Sequence, residues 1–190
     1  MRKASTTRAN VRERRWRNRP LGCDCWLKRW LVDQGSLTQR IQSRCRRFAI
    51  DVLSQKFGLP CPDERAAAGL RAGESALVRE VSLQCGRVPV VFAHSVIGRR
   101  AHRSVWRLVA KLGGRSLGTA LFTQPGAKRS GLAFRSLRRT DALYGRAASL
   151  LRKPAVQLWA RRSLFLLHGA RIVVTEVFLP GIAALDHDAH

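Results

Sequence analysis

Two segments of this chain dictate most of what it can become. Residues 76–98 and 158–180 each hold two runs of alternating apolar residues around a turn signal, Cys85-Gly86-Arg87 in the first and His168-Gly169-Ala170 in the second. Period-two patterning broken in this way reads as a β-hairpin. Two hairpins imply an antiparallel sheet, and a sheet must bury at least one face. The remaining segments supply the cover. Trp26, Leu27, Trp30 and Leu31 form one stripe of a short helix, Gly35 ends it, and Ser36 caps a second helix through Arg40 and Ile41. Val105, Leu108, Val109 and Leu112 face inward on another helix, stopped by Gly113-Gly114, and Ser116 starts a further helical turn. Phe48, Ile50 and Val52 alternate in a strand closed by Gly58, and the prolines of "LPCPDERAAAG" make a connector. The order predicts an α+β fold: a single domain with an antiparallel β-sheet and helices on one side.

Charge bounds the partners. The 190 residues carry 36 Lys and Arg against 12 Asp and Glu, a net charge of +24. Such a field draws anions, whether nucleic acid, an acidic membrane surface or a small polyanionic substrate. Residues 1–24 are expected to be a basic, flexible arm, 25–182 the folded domain, 124–156 a basic surface excursion within it, and 183–190 a polar tail. The bases of the domain interrupt strands and helices and form no single stripe. None of the usual nucleic-acid motifs is visible, so no specific nucleic-acid partner is expected. No apolar run approaches the roughly 18–20 residues of a membrane-spanning helix. Arg14-Arg15 is not followed by the apolar stretch of an export signal, so the expected location is cytoplasmic. The cysteines, at 23, 25, 45, 61 and 85, match no zinc spacing. Reduced thiols and no metal are expected.

Three polar groups interrupt the apolar faces. Glu176 shares a face with Ile172, Val174 and Phe178, while Val173, Val177 and Leu179 point the other way. Arg79 sits among Leu77, Val81, Leu83 and Cys85, and His94 among Val90, Phe92 and Val96. A buried guanidinium cannot discharge and needs acceptors. Two readings follow: an Arg79–Glu176 salt bridge in the core, or an interior pocket with a cation at one side and a carboxylic group at the other. The pocket suits a small molecule with a carboxylate at one end and a hydroxyl at the other.

At these residues the chain resembles the chorismate lyase (chorismate–pyruvate lyase) family. Four blocks carry the likeness, in family order: "WLVDQGSLTQRI" (30–41), "LVREVSLQCGRVPVVFAHSVI" (77–97), "LGGRSLGTALF" (112–122) and "LWARRSLFLLHGARIVVTEVFLP" (158–180). The resemblance implies helical flaps over an internal ligand site. It also implies conversion of chorismate to 4-hydroxybenzoate and pyruvate, the first step of ubiquinone biosynthesis, without a cofactor. By position Arg79 corresponds to the arginine that binds the ring carboxylate and Glu176 to the glutamate at the ring hydroxyl. Leu37 and Leu117 correspond to the flap positions whose backbone amides meet the ligand. His94 stands where some members have arginine and is a candidate for the second substrate carboxylate. A buried single-domain site requires no second subunit, so a monomer is expected. The alternatives are a non-catalytic, small-anion-binding sensor domain of the same fold and a basic nucleic-acid-associated protein.

Overall fold

Both hairpins form about the turns read from the sequence. The computed structural model describes residues 16–101 and 103–186. The first hairpin joins β2 (Ala76–Cys85) to β3 (Val88–Gly98), and the second joins β6 (Leu158–Leu167) to β7 (Ala170–Phe178). At the second turn His168 and Gly169 take φ values of +48° and +78°. Left-handed backbone at both positions matches the twist of the flanking strands, which is why a glycine stands there. The hairpins lie side by side through β3 and β7. They are extended by β1 (Phe48–Gly58) on one edge and by β4 (Lys128–Arg129) and β5 (Ala133–Leu137) on the other, in the order β1-β2-β3-β7-β6-β4 with β5 also on β6. Every pairing is antiparallel.

Among the described residues, six α-helices cover this sheet. On one face, α1 (Cys25–Leu31) and α2 (Leu37–Gln42) bury Leu27, Trp30, Leu31, Leu37 and Ile41 against Val81, Ala93 and Phe178. On the same face, α4 (Arg103–Ala110) and α5 (Leu117–Thr123) bury Val105, Val109, Leu117 and Leu121 against Leu77, Ile97, Phe165 and Ile172. Burial of each such side chain contributes about 1.5–3 kcal/mol. This is the cover expected from the sequence. The opposite face is also covered. There α6 (Ala142–Ala148) packs Leu143, Tyr144 and Ala147 on Phe92, Ala160 and Val177, and the end of α3 (Pro62–Ala67) packs on Val96 and Val173. The segment read as a connector is thus a helix with proline at its start, where the missing N–H costs nothing.

Several boundaries shift. Within 124–156, read as a surface excursion, Leu132, Phe134, Leu137, Leu143 and Tyr144 are buried. Of the expected arm, residues 1–15 lie outside the described residues, but Arg17 exchanges two backbone hydrogen bonds with Phe134 of β5, at 2.9 and 2.7 Å. Of the expected tail, residues 187–190 lie outside the described residues. Leu185 is buried, and Asp186 accepts from the Trp30 indole at 3.2 Å. The reduced-thiol expectation fails for one pair: Cys45 and Cys85 form a disulfide across 40 residues of sequence. Their proximity is tertiary, so spacing did not reveal it. Among the described residues there is no cluster of metal-ligating side chains, and no helix is long and apolar enough to cross a membrane.

Candidate active site

Strand register decides which polar groups meet. Arg79 of β2 lies opposite Gln55 of β1 and Ser95 of β3; Ser95 faces Val174 of β7, and Val174 faces Ser163 of β6. Directly opposed residues share a face, so this is one row across the sheet, beneath α1, α2, α4 and α5. The next row on that face runs Val81, Ala93, Glu176, Arg161. Arg79 and Glu176 therefore occupy the same face from separate hairpins. Between them lie only small side chains: Val81, Ala93, Ser95 and Val174. Strand spacing puts their Cα atoms roughly 12 Å apart.

Arg79 is 2% exposed, yet no carboxylate lies within ion-pairing distance of it among the described residues. Its Nε donates to Gln55 Oε1 and one Nη donates to the Gly113 carbonyl, both at 2.9 Å. Burial alone pulls its pKa below the ordinary arginine value, with no negative charge countering it. This cation is buried on neutral oxygens, an arrangement that a bound anion would relieve.

Glu176 is differently placed. Arg161 donates through Nε to Glu176 Oε2 at 2.5 Å, and its Nη1 donates to the Trp30 and Asp33 carbonyls at 3.3 and 2.7 Å. The Arg79–Glu176 salt bridge is absent: Glu176 has its own arginine, which ties it to the end of α1. The sequence did carry a signal for this. Arg161 and Arg162 are adjacent in a strand otherwise apolar but for Ser163, so strand alternation sends one buried cation to each face.

The roof comes from two helix starts. Leu37 opens α2 after the cap Ser36, and Leu117 opens α5 after the cap Ser116; both leucines are 2% exposed. First-turn amides have no partner within a helix, so such positions suit a carboxylate. The Ser36 and Thr119 hydroxyls meet at 3.2 Å, closing one helix pair on the other. Gly113, which accepts from Arg79, lies in the link from α4 to α5, so the arginine also touches the roof. A surface cleft of about 700 Å³ beside the second hairpin turn, lined by Arg71, Arg100, His168 and Arg171, includes none of these groups.

His94 requires a correction. A regular hairpin about Gly86-Arg87 would set His94 opposite Arg79, on the same face. Instead the register shifts by one at a bulge: Gln84 pairs with Pro89, but Leu83 pairs with Val91. Proline cannot donate to the ladder, and the extra residue there turns every later side chain of β3 over. His94 then lies opposite Glu80 on the far face, between Glu80 Oε1 and Glu64 Oε2, each at 3.1 Å. It cannot reach a ligand held by Arg79.

Comparison with known proteins gives the family. Residues 23–185 match the family model described as chorismate lyase. The chain is 49% identical over 171 residues to a "probable chorismate pyruvate-lyase" of Nitrosospira multiformis, covering 90% of this chain and 95% of that one. It is 51% identical over 161 residues to a protein of the same name from Aromatoleum aromaticum, covering 84% and 87%. Among solved structures, PhnF from Mycobacterium smegmatis superposes with a TM-score of 0.57 at 13% identity, covering 79% of this chain and 66% of that one. The C-terminal domain of a histidine utilization repressor from Pseudomonas syringae does so with a TM-score of 0.53 at 10% identity, covering 71% and 93%. These two share the fold.

Proposed function

Because this chain belongs to the chorismate lyase family, we propose that it cleaves chorismate to 4-hydroxybenzoate and pyruvate, as the first step toward ubiquinone, with Arg79 and Glu176 as the groups that hold the ring. The observation that carries the reading is Arg79, a buried guanidinium with no carboxylate in ion-pairing distance among the described residues, on the same face as Glu176 with small side chains between them.

In this mechanism Arg79 receives the ring carboxylate, helped by the first-turn amides of Leu37 and Leu117. Glu176, fixed by Arg161, accepts a hydrogen bond from the ring hydroxyl. Chorismate loses the hydrogen from the ring carbon bearing that hydroxyl while the ether bond at the neighbouring ring carbon breaks. That hydrogen leaves as a proton, and the enolate released from the ether takes up one proton at its methylene carbon to become pyruvate, so no proton is consumed overall. Aromatisation drives the step, so the protein's part is to hold the reactive conformer and exclude water. The net charge of +24 raises the capture rate of a dianion. The test is direct: purified protein mixed with chorismate releases pyruvate and 4-hydroxybenzoate in equal amounts. Binding of either compound without release of pyruvate would favour the sensor-domain alternative.

A further inference from the structure

Chorismate carries a second carboxylate, on its enolpyruvyl group, and His94 lies on the wrong face to meet it. We propose that Arg129, seated on Ser163, is the binding site for this second carboxylate and so distinguishes substrate from product. The inference rests on the lyase reading of Arg79 and Glu176.

Arg129 belongs to β4 and lies opposite Phe165 of β6, on the face shared by Arg79, Glu176 and Arg161. Like Arg79, it has no carboxylate within ion-pairing distance among the described residues. Its Nε and Nη2 both donate to one atom, Ser163 Oγ, at 2.9 and 2.7 Å, and Nη1 donates to the Gln34 carbonyl at 2.7 Å. Two parallel donors converging on a single neutral oxygen under-use a fork whose geometry matches the two oxygens of a carboxylate. The guanidinium lies over the Phe122 and Phe165 rings, with centroids at 4.9 and 5.8 Å, so aromatic walls hold the fork in place.

Position and charge agree with this role. Ser163 stands two residues along β6 from Arg161, the residue that holds Glu176, so the fork lies beside the hydroxyl end of the ring and away from Arg79. The enolpyruvyl ether branches from the ring carbon next to the hydroxyl, which puts its carboxylate at that end. Arg79, Arg129 and Arg161 against Glu176 leave two positive charges on this face, three minus one, and Asp33 is already paired with Arg40. Two uncompensated cations suit a dianion. The product has one carboxylate and leaves Arg129 without an anion, which weakens its hold relative to substrate.

The test compares wild type, Arg129→Gln and Arg129→Lys in the full chain, measuring kcat and KM for chorismate and, separately, the Kd for 4-hydroxybenzoate. The expected result is a KM about 10–100-fold higher in Arg129→Gln, partial recovery in Arg129→Lys, and a product Kd within about twofold of wild type. A KM unchanged in Arg129→Gln would overturn the inference. So would a product Kd that weakens in step with KM, because Arg129 would then only brace the roof. Wild-type protein that releases no pyruvate from chorismate would instead overturn the lyase reading itself.

Discussion

The two faces of the sheet hold comparable sets of charges and use them in opposite ways. On the far face, Arg162 donates to Asp63 at 3.0 Å and to Thr175 at 3.1 Å, with the Trp16 ring 4.0 Å away. His94 lies between Glu64 and Glu80, Arg146 reaches Glu80 at 2.7 Å, and Arg135 pairs with Asp141. Counting His94 as its cation, four positive groups meet four carboxylates and the sum is zero. On the near face three guanidiniums meet one carboxylate, and the sum is +2. Burial alone therefore does not mark a functional residue. A buried cation matched by carboxylates braces the fold, whereas one resting on neutral oxygens suits an anion that the chain does not supply.

The comparison breaks most sharply at Arg79. Arg79→Met is expected to lower kcat/KM for chorismate about 10³–10⁴-fold, while the thermal midpoint stays level or rises, because an uncompensated charge leaves the core. A large loss of stability would mean that Arg79 is scaffold after all. The far face should behave in the converse way. Glu64→Gln leaves His94 and Arg162 short of a carboxylate and is expected to cost about 3–5 kcal/mol of stability, read by denaturant unfolding. The kcat of the folded fraction should not change.

Titration sharpens the same contrast. Burial would push the His94 pKa down, but hydrogen bonds from its ring to Glu64 and Glu80 outweigh that and hold it up to about 9. A folded pKa above the unfolded value means that the contribution is complete below about pH 6.5 and is lost as pH rises through 9. Unfolding free energy is therefore expected to fall by on the order of 3 kcal/mol between those limits in wild type, and to lose most of that slope in His94→Gln. A pH-independent His94→Gln effect would contradict the imidazolium. The smallest effect is at the near-face carboxylate: Glu176→Gln should fold and lower kcat roughly 30-fold, since the amide still accepts from Arg161 but binds the ring hydroxyl less strongly.

The sequence disclosed the near face better than the far one. Period-two patterning sufficed for both hairpins and for the shared face of Arg79 and Glu176, because register there follows from apolar alternation and the β3–β7 pairing. The caps Ser36 and Ser116 located the roof helices. His94 was misplaced because one bulged residue at Val90 inverts the strand beyond it, and proline was the only hint. Arg129 escaped notice because a two-residue strand has no period to read. Asp63 and Glu64 belong to the segment that its two prolines mark as a connector. Only the packing of α3 against the sheet makes them the anions of the far face.

Arg79 can be tested most directly by solving the structure of the protein with 4-hydroxybenzoate bound. The predicted result is a ligand carboxylate within about 3 Å of the Arg79 guanidinium, with the ring over Ser95 and Val174 and the hydroxyl on Glu176. A ligand bound elsewhere, with Arg79 still satisfied only by Gln55 and Gly113, would contradict the assignment of this buried cation to substrate.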